Sequence, residues 1–174
     1  MFRVGTGFDV HAFTKGQKLI LCGVEIPFNK SLKGHSDADV ALHALTDAIL
    51  GALSLGDIGR WFPDNESIWK NAKSEIFLKK SLELMKTRKF LIGNIDMTII
   101  CQQPKISEVH EQLVQSVSEI CEIDQKGIII ITLIANNNLE LKETNNLLLK
   151  HVNDLLAIIN NYLEQFGYLI NFFE

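Results

Sequence analysis

Asp9 and His11 stand two residues apart near the start of the chain, a spacing that can build a metal site. In an extended strand, residues i and i+2 point to the same side, about 7 Å apart along the chain. A carboxylate and an imidazole side by side can chelate a metal ion. The same pair also occurs by chance on protein surfaces, so both interpretations stay open on these two residues alone.

A second imidazole lies in a stretch with helical periodicity. Asp39, His43 and Asp47 are spaced by four residues, which on a helix places them along one stripe. Their neighbours are apolar, so this stripe must either face water or form hydrogen bonds inside the protein. An acidic residue one turn away could fix the tautomer of a metal-bound His43. The alternative is a structural histidine whose hydrogen bonds are satisfied within the fold.

The stretches on either side of this predicted helix suit phosphate and hydroxyl groups. His35 and Ser36 precede the helix, whose N-terminal N–H groups and dipole favour an anion. For Ser36, capping of the helix is the alternative. Glycines flank Asp57, and Phe62 and Asp64 follow in the same loop. Asp57 could accept hydrogen bonds from a polyol, or the loop could be only a tight turn.

Both strands and helices are needed to position these residues. Period-two alternation and β-branched runs predict strands, apolar residues spaced by three or four predict helices, and polar stretches predict loops. The predicted strands are 2–10, 19–26 (a strand or hairpin), 94–101 and 128–134; the helices are 38–55, 68–88, 106–121 and 143–166; the loops are 29–37 and 57–67. This order predicts an α/β (α+β) two-layer sandwich, with helices packed on one face of a mixed β-sheet.

Composition and charge narrow the classes of function. The 174 residues, 47% hydrophobic and 22% charged, predict one globular domain over residues 1–174. A net charge of −4 argues against a nucleic-acid partner. The longest run of apolar residues and threonine, 128–135, is too short to span a membrane. Three cysteines without a CxxC pair predict neither a disulfide framework nor a Cys-rich zinc site. The start of the chain has no signal-peptide pattern, so we expect a reducing, cytoplasmic compartment.

These motifs also form one longer pattern. It comprises GTGFDVHAF at 5–13, GHSDADVALHALTD at 34–47, LGDIG at 55–59 and FPD at 62–64. In this order and spacing, the sequence closely resembles the 2-C-methyl-D-erythritol 2,4-cyclodiphosphate synthase family of non-mevalonate isoprenoid biosynthesis, over about residues 1–125. The resemblance implies a phosphorus–oxygen lyase that converts 4-diphosphocytidyl-2-C-methyl-D-erythritol 2-phosphate to the 2,4-cyclodiphosphate and CMP. It also implies a homotrimer with active sites between neighbouring subunits.

The resemblance implies roles for individual residues. Asp9, His11 and His43 would bind zinc and leave a fourth position open, the pattern of catalytic zinc. His35 would be catalytic, acting on the phosphates. The implied substrate-binding residues are Asp9, His11, His35, Ser36, Asp57, Ile58, Gly59, Phe62, Asp64, Cys101, Gln103, Pro104, Lys105 and Ile106. Among them, residues 101–106 would hold the cytidine. A second divalent ion, Mg²⁺ or Mn²⁺, is implied at the diphosphate without an identified protein ligand.

After about Gln125 the family pattern is lost, so residues 126–174 depart from it. An Asn triplet at 136–138 stands where the family has a Thr triplet, and Glu140 is only a candidate ligand for the second ion. Either a frameshifted tail or genuine divergence explains the change. The departure keeps an alternative function open, a catalytically impaired trimeric relative that binds zinc and cytidine nucleotide without turnover. A zinc phosphohydrolase is a third hypothesis.

Overall fold

The computed structural model describes residues 2–133, which form an α+β structure. The strands are β1 (Phe13–Lys15), β2 (Lys18–Leu21), β3 (Val24–Pro27), β4 (Lys30–Leu32), β5 (Ile95–Ile100) and β6 (Ile128–Leu133). The α-helices are α1 (Val40–Ala52), α2 (Ile58–Trp61), α3 (Ser74–Thr87) and α4 (His110–Cys121). The predicted α+β class is confirmed. The predicted helix 143–166, Glu140 and most of the divergent tail lie outside the described residues, so the single-domain prediction stays a prediction.

The strands form three two-stranded ladders in the part of the chain that the structure describes. β1 pairs with β4 and β2 with β3, both antiparallel, whereas β5 and β6 are parallel, with Ile95 opposite Ile128. The predicted loop 29–37 therefore contains a short strand, which its polar composition concealed. Along β5, Ile95 and Ile99 are buried and Asp96 is exposed. This ladder thus has one face covered by the core and one face open.

The helices share one apolar core with these strands. α1 packs against α3, and α4 contacts β6 and β3. Leu42, Leu78 and Leu113, one from each long helix, are completely buried in this core. Burial of large aliphatic side chains contributes roughly 1.5–3 kcal/mol each, so this packing fixes the position of α1. No helix among residues 2–133 has the length and apolarity needed to cross a membrane.

The predicted strand 2–10 is wrong within the described structure, because residues 2–12 have no regular secondary structure. Two glycines instead bring this segment against α1. A Cβ on Gly5 would lie 1.9 Å from the carbonyl oxygen of Ala48, and one on Gly7 would lie 1.8 Å from that of Ala44. Phe8, which follows Gly7, is 71% exposed. Close glycine packing on α1, and not strand pairing, therefore positions the residues that follow.

Asp39 joins the β2–β3 hairpin to the start of α1. The hairpin turns at Cys22 and Gly23, whose φ angles are 53° and 77°, and both N–H groups donate to the Asp39 carboxylate, at 3.0 and 2.6 Å. The same side chain caps α1 by accepting from the N–H of Leu42 at 3.1 Å. Burial raises the pKa of Asp39, although the three N–H donors act in the opposite direction. The buried Asp39 side chain therefore links the hairpin turn to the first turn of α1.

Replacing Asp39 with Ala is expected to destabilise the fold by about 3 kcal/mol. The substitution removes a helix cap, at about 1 kcal/mol, and leaves the buried N–H of Cys22 without an acceptor, at roughly 1–3 kcal/mol, whereas the N–H of Gly23 belongs to an exposed residue and can be hydrated. Chemical denaturation followed by circular dichroism measures the loss. Asp124→Ala is the control, because Asp124 is an exposed cap that accepts one hydrogen bond, from the N–H of Lys126. Equal losses of unfolding free energy in the two variants would show that Asp39 does not stabilise this junction.

Candidate functional site

Asp9, His11 and His43 converge on one point beside α1. One ligand atom from each lies within 4.8 Å of the other two, and this is the one such cluster of His, Cys, Asp or Glu within residues 2–133. His11 Nε2 lies 2.9 Å and His43 Nδ1 lies 3.0 Å from the same atom, Oδ2 of Asp9. The structure thus brings together the three residues that the sequence singled out as ligands, two from the N-terminal segment and one from α1.

The other ring nitrogen of each histidine faces a different partner. His11 Nδ1 donates to the carbonyl oxygen of Lys33 at 2.7 Å, so in a neutral ring its Nε2 carries a lone pair. In that neutral form the lone pair faces the Asp9 carboxylate, an arrangement that a cation bound between the two groups would stabilise. One carboxylate oxygen and two imidazole nitrogens are ligands that divalent metal ions accept in proteins. The cluster therefore fits a divalent metal site.

The surroundings of Asp9 favour its ionised form. Partial burial acts to raise the pKa of Asp9, but the imidazole rings of His43 and His11 beside it and the N–H of Val10 outweigh it. The pKa of Asp9 consequently lies below its ordinary value. A carboxyl group that stays ionised presents the charge that a metal ion requires.

Ser36 lies beside the cluster, and His35 lies at the surface. Ser36 Oγ is 3.1 Å from Nε2 of His43 and accepts from the N–H of Ala38 at 3.2 Å. His35 is exposed. The cap of α1 is Asp39, so the interpretation of Ser36 as the helix cap is wrong. The Ser36 hydroxyl is therefore positioned at the edge of the metal cluster.

The loop that contains Asp57 is tied to the helix that carries His43. Asp47, one turn after His43 on α1, accepts from the N–H of Ile58 at 2.7 Å. Burial raises the pKa of Asp47, opposed by that N–H, and the charges of Asp57 and Asp9 add to the increase. Among the described residues, the ring nitrogens of His43 contact Asp9, Ser36 and Ser74, and neither the Asp39 nor the Asp47 carboxylate, so the proposed role of this acidic stripe in fixing its tautomer is wrong. Asp47 anchors the loop instead.

Asp57 and the residues after it form the rim of this region. Asp57 caps α2, where its Oδ1 accepts from the N–H of Arg60 at 3.0 Å. Phe62 packs on Phe77, with ring centroids 4.6 Å apart, and Phe77 lies 6.0 Å from the His43 ring. The remaining predicted residues here are Ile58, which is half-buried, and Gly59 and Asp64, which are exposed. The packed rings of Phe62 and Phe77 thus extend from this loop to the metal cluster.

The segment 101–106 follows β5. Cys101 donates its N–H to the carbonyl of Leu133 at 3.1 Å, and Ile106 is buried. Gln103 and Lys105 are exposed, and Pro104 is half-buried. No hydrogen bond or ion pair links this segment to the Asp9–His11–His43 cluster within the described residues.

Sequence reasoning missed the residues that support the ligands. Lys33 contributes only its carbonyl oxygen, and any residue type could do so. Ser74 lies 2.8 Å from Nε2 of His43, although 31 residues separate the two in sequence. Ser74 opens an ordinary amphipathic helix, so its residue type carried no signal for this contact.

Comparison with known proteins identifies relatives of this chain. The sequence model of the YgbB family matches residues 2–152. The 2-C-methyl-D-erythritol 2,4-cyclodiphosphate synthase of Methylobacillus flagellatus is 51% identical over 123 residues, 71% of this chain and 77% of the relative. The bifunctional enzyme IspD/IspF of Rhodobacter capsulatus is 49% identical over 128 residues, 74% of this chain. The chain spans about a third, 34%, of the length of that bifunctional relative.

A solved structure of similar fold carries a nucleotide. It is a 2C-methyl-D-erythritol-2,4-cyclodiphosphate synthase in a CDP-bound form, with 35% sequence identity and a TM-score of 0.74. The alignment covers 78% of this chain and 91% of that one. These comparisons confirm the family resemblance inferred from the motifs.

Proposed function

The chain belongs to the YgbB family, and from that premise we propose that it is a 2-C-methyl-D-erythritol 2,4-cyclodiphosphate synthase. The proposed reaction converts 4-diphosphocytidyl-2-C-methyl-D-erythritol 2-phosphate to the cyclic diphosphate and CMP, in non-mevalonate isoprenoid biosynthesis. The observation that carries the proposal is the convergence of Asp9, His11 and His43 at one point. The 51% identity to a relative of that name supports it.

We propose zinc as the ion at this cluster. Its mixed nitrogen and oxygen ligands, three from the protein, match those of catalytic zinc sites. Bound there, zinc would supply Lewis-acid polarisation of a phosphate oxygen. Mg²⁺ or Mn²⁺ at the diphosphate is part of the same proposal, with no ligand assigned within residues 2–133. The candidate Glu140 lies outside the described residues.

The remaining residues position the substrate. His35 and Ser36 would hold the phosphates, and the place of Ser36 at the edge of the cluster supports its part in this role. Asp57 would accept hydrogen bonds from the erythritol hydroxyls, in a pocket lined by Ile58, Gly59, Phe62 and Asp64. Residues 101–106 would hold the cytidine, a role consistent with the CDP in the similar structure.

The bond changes are those of an intramolecular phosphoryl transfer. An oxygen of the 2-phosphate bonds to the β-phosphorus, the bond from that phosphorus to the bridging oxygen breaks, and CMP leaves with that oxygen. Such reactions depend mostly on in-line positioning and on neutralisation of charge. Orienting the phosphates and hydroxyls, as proposed for Ser36 and Asp57, is therefore the main contribution of the protein.

We propose that the active protein is a homotrimer with active sites between subunits. Phe8 and Val10, 71% and 78% exposed in the single chain, supply apolar surface for association.

Cys22, Cys101 and Cys121 are free thiols, which supports the expected cytoplasmic compartment.

Incubation of the protein with the cytidyl substrate, zinc and magnesium tests the proposal. The proposed reaction yields CMP by chromatography and two coupled ³¹P resonances from the cyclic diphosphate. Inorganic phosphate as the product would indicate a phosphohydrolase. Zinc and CDP binding without CMP release would indicate the catalytically impaired relative. Either of the last two results overturns the proposed activity.

Replacing Asp57 with Ala is expected to weaken substrate affinity by roughly tenfold to a hundredfold, while zinc content stays unchanged. Hydrogen bonds that a carboxylate accepts contribute roughly 1.5–3 kcal/mol, and 1.4 kcal/mol corresponds to a factor of ten. Calorimetric titration with substrate in the absence of the second metal measures the affinity. Asp124→Ala removes a similar exposed cap elsewhere and should bind normally. Normal affinity in Asp57→Ala would argue against the polyol contact.

A further inference from the structure

The nitrogen of His43 that faces away from Asp9 meets a hydroxyl held by a carboxylate. Nε2 of His43 lies 2.8 Å from Oγ of Ser74, which is completely buried. The Ser74 hydroxyl is hydrogen-bonded to Oδ1 of Asp37, and the Ser74 N–H donates to Oδ2 of the same carboxylate at 3.0 Å. The three side chains thus form a continuous chain of hydrogen bonds that ends at the metal cluster.

The chemistry of these groups sets the direction of each hydrogen bond. A carboxylate only accepts, so the hydroxyl hydrogen of Ser74 must point to Asp37. Ser74 Oγ can then only accept from His43, so Nε2 of His43 must carry the ring hydrogen. In the neutral imidazole, Nδ1 is left with a lone pair, and Nδ1 is the atom 3.0 Å from Asp9.

We infer that Asp37 and Ser74 are positioning residues that hold His43 in its Nε2–H tautomer and so make Nδ1 the metal ligand. The inference rests on the metal site of the proposed function and adds two residues to it. Outer partners of this kind commonly orient a metal-bound histidine. Lys33 does the same for His11 through its carbonyl oxygen. Different groups therefore fix the tautomers of the two ligand histidines. A backbone carbonyl oxygen acts on His11, and a hydroxyl that is bonded to a carboxylate acts on His43.

Ser36 is the competing acceptor for the same hydrogen. Its Oγ lies 3.1 Å from Nε2 of His43 and 3.4 Å from Oγ of Ser74. Within residues 2–133 no carboxylate accepts from Ser36, and its hydroxyl hydrogen has only the longer contact to Ser74 Oγ besides His43. Ser74 is closer to His43, and its own hydrogen is committed to Asp37. The geometry favours Ser74 as the acceptor from His43.

Ser74 and Asp37 also have a structural role that an experiment must separate from positioning. Ser74 is the first residue of α3, and the N–H of Asp37 donates to the carbonyl of Ala72 at 3.0 Å. The pair therefore connects the start of α3 to the loop before α1. Ser81→Ala is the matched control, because Ser81 is a buried serine on the same helix that donates to the carbonyl of Leu78.

The test measures zinc affinity by competition with a chromophoric chelator, together with the ¹⁵N shifts of the His43 ring in metal-free protein. Ser74→Ala is expected to weaken zinc binding by roughly tenfold to a hundredfold, the usual cost of losing such a partner. Its His43 should shift from the Nε2–H tautomer to a mixture of both. Ser81→Ala should match the wild type in both measurements.

Asp37→Asn provides a second route if Ser74→Ala fails to fold. The asparagine amide keeps one oxygen that accepts a hydrogen bond, but its NH₂ group faces the N–H or the hydroxyl of Ser74, which also donates. We therefore expect the same weakening of zinc binding and the same mixture of His43 tautomers. Wild-type zinc affinity and tautomer in either folded variant would overturn the inference. A loss in Ser36→Ala but not in Ser74→Ala would also overturn it. Failure of the wild type to bind zinc would instead refute the proposed metal site.

Discussion

Replacing His43 with Ala is expected to remove bound zinc and to abolish CMP release while the fold persists. The change deletes one of three protein ligands from a cluster whose atoms lie within 4.8 Å. Loss of a partner outside the ligand set costs roughly 10–100-fold in metal affinity, so loss of a ligand should exceed about 100-fold. Elemental analysis of dialysed protein measures the zinc, and far-UV circular dichroism checks the fold.

His110→Ala is the matched control for this variant. His110 hydrogen-bonds through Nε2 to the carbonyl oxygen of Ile130 at 3.1 Å and is not part of the metal cluster. The variant should retain zinc and release CMP. One equivalent of zinc per chain in His43→Ala, after the same dialysis, would refute the assignment of His43 as a ligand.

Replacing Gly7 with Ala is expected to reduce CMP release by about 100-fold, the cost of an ångström-scale misplacement of catalytic groups. A Cβ at this position would lie 1.8 Å from the carbonyl oxygen of Ala44, and the backbone of α1 cannot yield by that much. The N-terminal segment must therefore move away from α1. Asp9 and His11 follow within four residues, so both would be displaced from His43. Zinc affinity should fall together with activity.

Gly93→Ala is the control for Gly7→Ala, because a Cβ on Gly93 would have no heavy atom within 4 Å. We expect the wild-type zinc content and activity from it. Denaturation curves should show a loss of roughly 1–3 kcal/mol for Gly7→Ala, the usual cost of overpacking. Full activity in Gly7→Ala would show that glycine packing does not position Asp9.

Periodic apolar patterns were sufficient to predict most regular elements. In α4, Leu113 and Val117 are spaced by four residues, and both are completely buried. The β-branched run at 128–134 corresponds to β6 over Ile128–Leu133. These patterns indicate which face of a segment is buried, and each pattern is contained in the sequence of that segment alone. Residues 2–10 show where this reasoning fails, because their alternation matches a strand while two glycines pack them against a helix.

The ligand residues could be identified from the sequence, but their support could not. Asp9, His11 and His43 belong to motifs with recognisable residue types and spacing. Ser74 is an ordinary helix residue, and its contact with His43 depends on how α3 packs beside α1. Asp39 was placed on the same stripe as His43, but its carboxylate turns to the β2–β3 hairpin. Helical spacing predicts a shared face, and it does not predict which partner outside the helix a side chain meets.

The central claim is that Asp9, His11 and His43 together hold one zinc ion. Anomalous diffraction from crystals of the purified protein, collected on both sides of the zinc absorption edge, tests it directly. The expected result is a single strong anomalous peak bonded to Asp9 Oδ2, His11 Nε2 and His43 Nδ1 that disappears below the edge. A map without a peak at these three atoms, from protein that contains zinc, would contradict the account.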